Sequence, residues 1–187
     1  MHKKDYYLNL RKQYLPKKLK CIVIAESPPD SGKYFYDISG RIKEPLFSAF
    51  MKVLGINPNT NKEGLEIFQN KGFYLIDATY KQVNKYKNSK RNKMILDSFP
   101  DLLKDLKNLK AKKVPILLVK TNIFKLLSTR LTDNGFNILN DNFSIPFPSH
   151  SHQIKFYQLV SFLLIKNNII NNNGKKANKK RKNESDI

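Results

Sequence analysis

Five apolar residues in a row, Cys21-Ile22-Val23-Ile24-Ala25, give way abruptly to Glu26-Ser27-Pro28-Pro29-Asp30. A short β-branched run closed by turn residues reads as a strand buried on both faces. Gly72 to Ala78 repeats the pattern, with Asp77 at its carboxyl end, and Val114 to Val119 repeats it again. A fourth strand is expected within Phe136 to Phe147, broken near Asn140-Asp141-Asn142.

Between these runs the apolar positions take helical spacing. Tyr6, Tyr7, Leu10 and Tyr14 share one face over residues 3–16, and the other face is basic. Glu44 to Leu54 is amphipathic, with Pro45 suited to a first turn and Gly55 to a cap. Residues 62–70 form a short helix ending before Gly72, and 93–110 regain the helical period with Pro100 interrupting it. Ile123 to Leu131 is helical, as is 153–166, where Phe156, Leu159, Val160, Leu163 and Leu164 line one face and Ser151 is a candidate N-cap. Lys81 to Lys93 is basic without an acid and reads as an exposed loop.

Strands alternating with helices predict an α/β fold: a three-layer αβα sandwich around a central four-stranded parallel sheet. One domain is expected over residues 1–166, with a helix at 1–18 packed on it. A basic disordered tail follows at 167–187, where Lys175, Lys176, Lys179, Lys180, Arg181 and Lys182 precede any acid. The loops 26–36, 77–93, 120–122 and 147–153 should then gather at the carboxyl edge of the sheet, where ligands of open α/β sheets bind. That edge carries an acid, Glu26, next to the rings Tyr34, Phe35 and Tyr36, which together suit a planar ligand.

Charge narrows the partner. The 187 residues carry a formal net charge of +20, with Lys+Arg 35 against Asp+Glu 15. Such a field attracts polyanions, nucleic acid above all. The excess of lysine over arginine and the abundance of asparagine are also what an AT-rich genome imposes on any protein. The single cysteine, Cys21, sits inside the first strand, which excludes a disulfide framework, a thiolate zinc site and a cysteine-bound iron–sulfur cluster within one chain. His150 and His152 are two apart but lack a third ligand, so neither a metal nor another cofactor is expected. With no apolar run of spanning length and no signal-peptide pattern, the expectation is a cytoplasmic monomer without a membrane partner.

Two segments add a family likeness. Ala25-Glu26-Ser27-Pro28-Pro29 is followed by Gly32 and Phe35, and Phe147-Pro148-Ser149-His150 stands before the last helix. In order and strand placement they resemble the uracil-DNA glycosylase superfamily. Its iron–sulfur branch has glycine-glutamate-alanine-proline-glycine after a buried strand, and the superfamily has histidine-proline-serine before the last helix. The likeness covers residues 20–166 and departs from the family in three ways. Phe147 stands at the late histidine, the cluster cysteines are absent, and Asp77 stands where several branches use an asparagine to read the base.

The resemblance implies a monofunctional DNA glycosylase of base-excision repair, which hydrolyses the N-glycosidic bond of a flipped uracil-like or modified pyrimidine base with activated water and no lysine Schiff base. Glu26 would stabilise the oxocarbenium-like sugar or orient water, against the plain reading of a loop-capping glutamate. Phe35 would stack on the base, or else sit in the core. Pro28 and Tyr34 would line the base pocket, with Tyr36 exposed. Asp77 favours an exocyclic amine, as on cytosine, through a shared proton and a raised pKa, unless it caps a neighbouring loop. His150 would replace the missing histidine. Ser149, Ser151, His152 and Gln153 suit phosphate contact near a helix start. Ile154 lies where the family inserts a wedge, or is an ordinary first-turn core residue. Lys81, Lys85, Lys87, Lys90 and Arg91 would neutralise the DNA backbone, if they are not simply solvated. The competing class is a catalytically inactive nucleic-acid-binding module on the same fold. A nucleotide-binding protein is disfavoured because neither G-x-G-x-x-G nor a Walker A motif is present.

Overall fold

The computed structural model describes residues 3–171. β1 (Cys21–Ala25) and β2 (Phe73–Asp77) are buried at every position, as continuous apolar runs between helices require. β3 (Ile116–Leu118) completes a parallel sheet in the order β2-β1-β3, with Ala25 opposite Asp77 and Ile24 opposite Leu118.

The sheet has three strands, not the four expected. The chain after residue 136 does run along β3, but its backbone forms only two isolated parallel bridges there, Ile116 with Ile138 and, just past β3, Val119 with Ile145. Asn140 accounts for the interruption. Its fully buried side chain accepts from the Leu118 N–H at 2.9 Å and donates to the Leu118 carbonyl at 3.1 Å. A side-chain amide thus fills the place of a backbone ladder pair, and the chain turns away instead of continuing as a strand.

Seven α-helices accompany the sheet among the described residues: α1 (Lys3–Lys12), α2 (Pro45–Val53), α3 (Asn61–Asn70), α4 (Asn88–Asp97), α5 (Phe99–Asn108), α6 (Thr121–Asp133) and α7 (Gln153–Lys166). Local chemistry sets several ends. The Glu44 carboxylate accepts from the Phe47 N–H at 2.8 Å to open α2, and the Thr60 hydroxyl accepts from the Glu63 N–H at 3.1 Å to open α3. Gly72, at φ +87, makes the turn into β2, where a Cβ would meet the Lys18 carbonyl at 2.8 Å. Four boundaries differ from expectation. α1 stops at Lys12, and α4 takes the second half of the expected 81–93 loop. Ser98 separates α4 from α5, which places Pro100 harmlessly in a first turn. Ser151 does not cap α7, because a 3-10 turn over His150–His152 intervenes. Of the expected tail, Ile169 and Ile170 pack against the core; residues 172–187, with Lys175 to Lys182, lie outside the described residues.

Successive residues of β2 meet different helices, as the alternation of a strand demands. The Phe73 ring packs against Phe68 of α3, whose ring also meets Phe35 and Phe50, and Phe50 meets Phe156 of α7. The next residue, Tyr74, lies under the Arg11 guanidinium at 5.3 Å. Arg11 is buried and forks onto Asp105 of α5 at 2.7 and 3.0 Å, which ties α1 to α5. Tyr36, expected to be exposed, is fully buried. Its hydroxyl accepts from the Leu75 N–H at 2.7 Å and donates to the Leu75 carbonyl at 3.0 Å, which satisfies the outer edge of β2.

Candidate functional site

Parallel pairing decides where the acids go. With Ala25 opposite Asp77, Glu26 and Asp77 emerge side by side at the carboxyl ends of β1 and β2. A cavity of about 330 Å³ opens there, within the usual size of small-ligand sites. Its lining includes Glu26, Tyr34, Phe35, Glu44, Asp77, Arg91, Lys120 and Phe147. The structure therefore brings together four residues that the sequence had nominated: Glu26, Tyr34, Phe35 and Asp77. Pro28 is buried but does not line the cavity; Ser27 and Pro29 do.

Glu26 is 5% exposed and surrounded by donors. Arg91 donates from Nε to Oε1 at 2.8 Å and from Nη2 to Oε2, Lys120 Nζ donates to Oε2 at 2.6 Å, and Asn122 Nδ2 donates to Oε1 at 3.4 Å. Burial pushes the Glu26 carboxyl up, but the Arg91 and Lys120 bonds outweigh it and hold the group below its ordinary value. Arg91, expected in a loop against DNA phosphates, instead stands in α4 with its guanidinium on Glu26.

Asp77 is 4% exposed and has the opposite surroundings. Burial dominates and raises its pKa to about 7, against smaller lowering influences from Arg11 and Tyr34. The Tyr34 hydroxyl faces Asp77 without a hydrogen bond of normal geometry, so Tyr34 Oη and Asp77 Oδ2 are both buried without a partner. Glu44 is half-buried, and burial raises its pKa despite the backbone N–H groups of Phe47 and Leu46.

Phe35 is buried to 6% and serves two purposes, since its ring packs on Phe47 and Phe68 and also reaches the cavity wall. Phe147 lines the same cavity from the loop before α7. Lys120 was not nominated. It stands directly after Val119 at φ +87 and ψ 128, a conformation that costs a non-glycine residue strain. The one available signal was its place at a strand end, in the loop 120–122.

Lys81, Lys85, Lys87 and Lys90 are exposed near the start of α4, where Lys85 and Lys90 lie over the Tyr86 ring at 5.6 and 4.3 Å. Ser149, Ser151, His152 and Gln153 do not line the cavity; Ser151, His152 and Gln153 are exposed, and the Ser151 hydroxyl lies 3.3 Å from His152 Nδ1. The side chain of His150 lies outside the described residues. Ile154, at 69% exposure, is not a core residue. A larger cavity of about 540 Å³ lies between α1, α5 and the turn after β2, and Asp77 lines it as well. Among the described residues, no group of three His, Cys, Asp or Glu side chains is placed to hold a metal ion, and no helix is long and apolar enough to cross a membrane.

The molecule is thus a mixed α/β protein with a parallel sheet and a cavity at its carboxyl edge that Glu26, Asp77 and Glu44 line. Comparison with known proteins finds no family model, no curated protein and no solved structure that matches the chain. The superfamily likeness rests on residues 25–35 and 147–150 alone.

Proposed function

We propose that this protein acts on DNA as a glycosylase: it holds a flipped uracil-like or modified pyrimidine base in the carboxyl-edge cavity and hydrolyses its N-glycosidic bond. The observation that carries this reading is the convergence of two buried carboxyls beside Phe35 in one cavity of about 330 Å³, Glu26 bonded by Arg91 and Lys120 and Asp77 without such cations bonded to it. Two carboxyls of opposite protonation state are the usual equipment for acid–base work on one bond. The base leaves C1′ with the bonding electron pair, the sugar becomes oxocarbenium-like, and water adds at C1′. Glu26 accepts the proton of that water once a DNA phosphate has drawn Arg91 or Lys120 away from it. The exposed lysines 81, 85, 87 and 90 supply backbone contacts, and the protruding Ile154 is a wedge for the vacated stack.

The fold belongs to the same proposal. Crossovers of the usual right hand would put α2 and α3 on one face of the sheet and α4 and α5 on the other, a three-layer arrangement that the alternating contacts of Phe73 and Tyr74 support. The protein acts in the cytoplasm as a monomer without a cofactor.

One observation favours the inactive nucleic-acid-binding module instead: four donated bonds fill the acceptor positions of Glu26. Base release decides between the two. The panel comprises oligonucleotides bearing uracil, hypoxanthine, mismatched thymine, cytosine and modified cytosines, scored by alkaline cleavage at abasic sites. The glycosylase reading expects release of one base and its loss in Glu26→Gln. Salt-sensitive DNA binding without release from any substrate supports the binding module, and absence of both overturns the two readings together.

A further inference from the structure

We propose that a groove at the amino edge of the sheet, where the strands begin, is a second nucleic-acid contact: it seats a single-stranded segment with its phosphates on Lys20, Lys52 and Lys71 and a base on the Tyr157 ring. A cavity of about 480 Å³ opens there, between the starts of β1 and β2 and the C-terminal ends of α2, α3 and α7. Lys20 stands just before β1 and Glu26 just after it, so the extended chain, at about 3.3 Å per residue, sets the groove about 20 Å from the carboxyl-edge cavity. Binding here does not depend on catalysis at the other edge.

Charge and shape name the occupant. Lys20, Lys52 and Lys71 line the groove, all three are exposed and none is in an ion pair among the described residues. No Asp or Glu among the described residues lines it. Lysines near helix C-termini can simply answer the helix dipole, so the magnitudes decide. Three helix ends supply about half a negative charge each, about one and a half in all, against the full charges of three lysines. The groove stays positive by more than one charge and calls for an anion. The chain's own continuation does not supply it: residues 172–187 follow Asn171 at the groove and carry six Lys or Arg against two acids. Tyr157 separates nucleic acid from other polyanions. Its ring is 39% exposed, lines the groove and has Lys52 Nζ 5.3 Å from its centroid. An open aromatic face among cations holds single strands, because a base stacks on the ring while the lysines neutralise the backbone. A duplex keeps its bases stacked on one another, and heparin offers charge without a base.

The chain contains no Trp, so Tyr157→Trp in the full chain places a single indole in the groove. Its fluorescence is followed during titration with an oligothymidine of about 12 nucleotides, within the length that single-strand sites span. Stacking of a base should quench the emission saturably, whereas heparin and a duplex of the same length should not. Changing Lys20, Lys52 and Lys71 together to Gln in the same background removes three phosphate contacts. At about 0.7 per contact on a single strand, the slope of log affinity against log salt should become shallower by about 2. Extrapolated from about 1 M, that is an affinity about 100-fold weaker at about 0.1 M salt. An equal loss of charge away from the groove, Lys104, Lys107 and Lys125 changed to Gln, should shift the titration by less than about 3-fold; these three are exposed on α5 and α6. The proposal is overturned if oligothymidine leaves the emission unchanged, if heparin or the duplex quenches it equally, or if the distant set weakens the titration as much as the groove set does. Base release from DNA, or its absence, bears on the carboxyl edge alone and leaves this result standing.

Discussion

The ends of β1 and β2 carry carboxyls that are almost equally buried, Glu26 at 5% and Asp77 at 4%, yet one is held below its ordinary pKa and the other is raised to about 7. Burial acts in the same direction on both. The partners make the difference. Glu26 receives Arg91, Lys120 and Asn122, whereas Asp77 has only a mis-set tyrosine and an arginine engaged elsewhere. Protonation in an interior is therefore decided by the donors that the fold delivers, not by depth.

The largest effect should come from the pH dependence of stability at Asp77. Its folded pKa is raised, so its contribution is fully present below about pH 4 and is lost as pH rises to about 7. With about 1.36 kcal/mol per unit, a rise from the ordinary 3.8 to about 7 corresponds to about 4 kcal/mol between the ends of that window. Asp77→Asn should remove most of this slope in urea unfolding followed across pH. An unchanged slope would mean that Asp77 titrates normally.

Next comes the loss of Glu26. Glu26→Ala leaves Arg91 and Lys120 facing each other without a counter-charge, at side-chain exposures of 16% and 29%. Breaking a buried pair by removing one partner costs 3–5 kcal/mol, and the residual exposure places the expectation near the low end, at about 3 kcal/mol at neutral pH. A loss under about 1 kcal/mol would show that the cations are solvated and that Glu26 is not their anchor.

A smaller effect separates the two cations. Glu26 is depressed, so its stabilisation is present above about pH 4 and is lost as pH falls through its folded pKa. Arg91→Ala should move that acid limb to higher pH more than Lys120→Ala does, because the Arg91 bond is the stronger lowering influence. Smallest of all is the strain at Lys120. Lys120→Gly and Lys120→Ala both lose the ion pair, but only glycine relieves φ +87, so the glycine variant should be more stable than the alanine variant by about 1 kcal/mol.

The same contrast separates what the sequence disclosed from what it withheld. Glu26 and Asp77 were legible because each sits at the end of a continuous apolar run, and a strand end is a local property; Phe35 was nominated from the ring cluster 34–36 and the motif likeness. Arg91 was misplaced because its role depends on a partner 65 residues away, and a basic stretch without acids looks like a loop whether or not one of its cations turns inward. Arg11 was hidden in the same way, since its carboxylate is 94 residues distant. Lys120 was one more lysine in a lysine-rich chain, and backbone strain leaves no mark on residue type. The failure of the fourth strand was partly visible, because the break near Asn140 was expected. What could not be read was that the Asn140 side chain would bond to Leu118 and replace the ladder outright.

The most direct test of the account is a carbon-detected NMR titration of the side-chain carboxyls of the wild-type protein, with Glu26→Gln and Asp77→Asn used to assign the two signals. The account predicts that the Asp77 carboxyl titrates near 7 while the Glu26 carboxyl stays ionised to below its ordinary range. If both carboxyls titrate together near the ordinary carboxylate values, the cavity does not hold two carboxyls of opposite protonation, and the chemistry assigned to it fails.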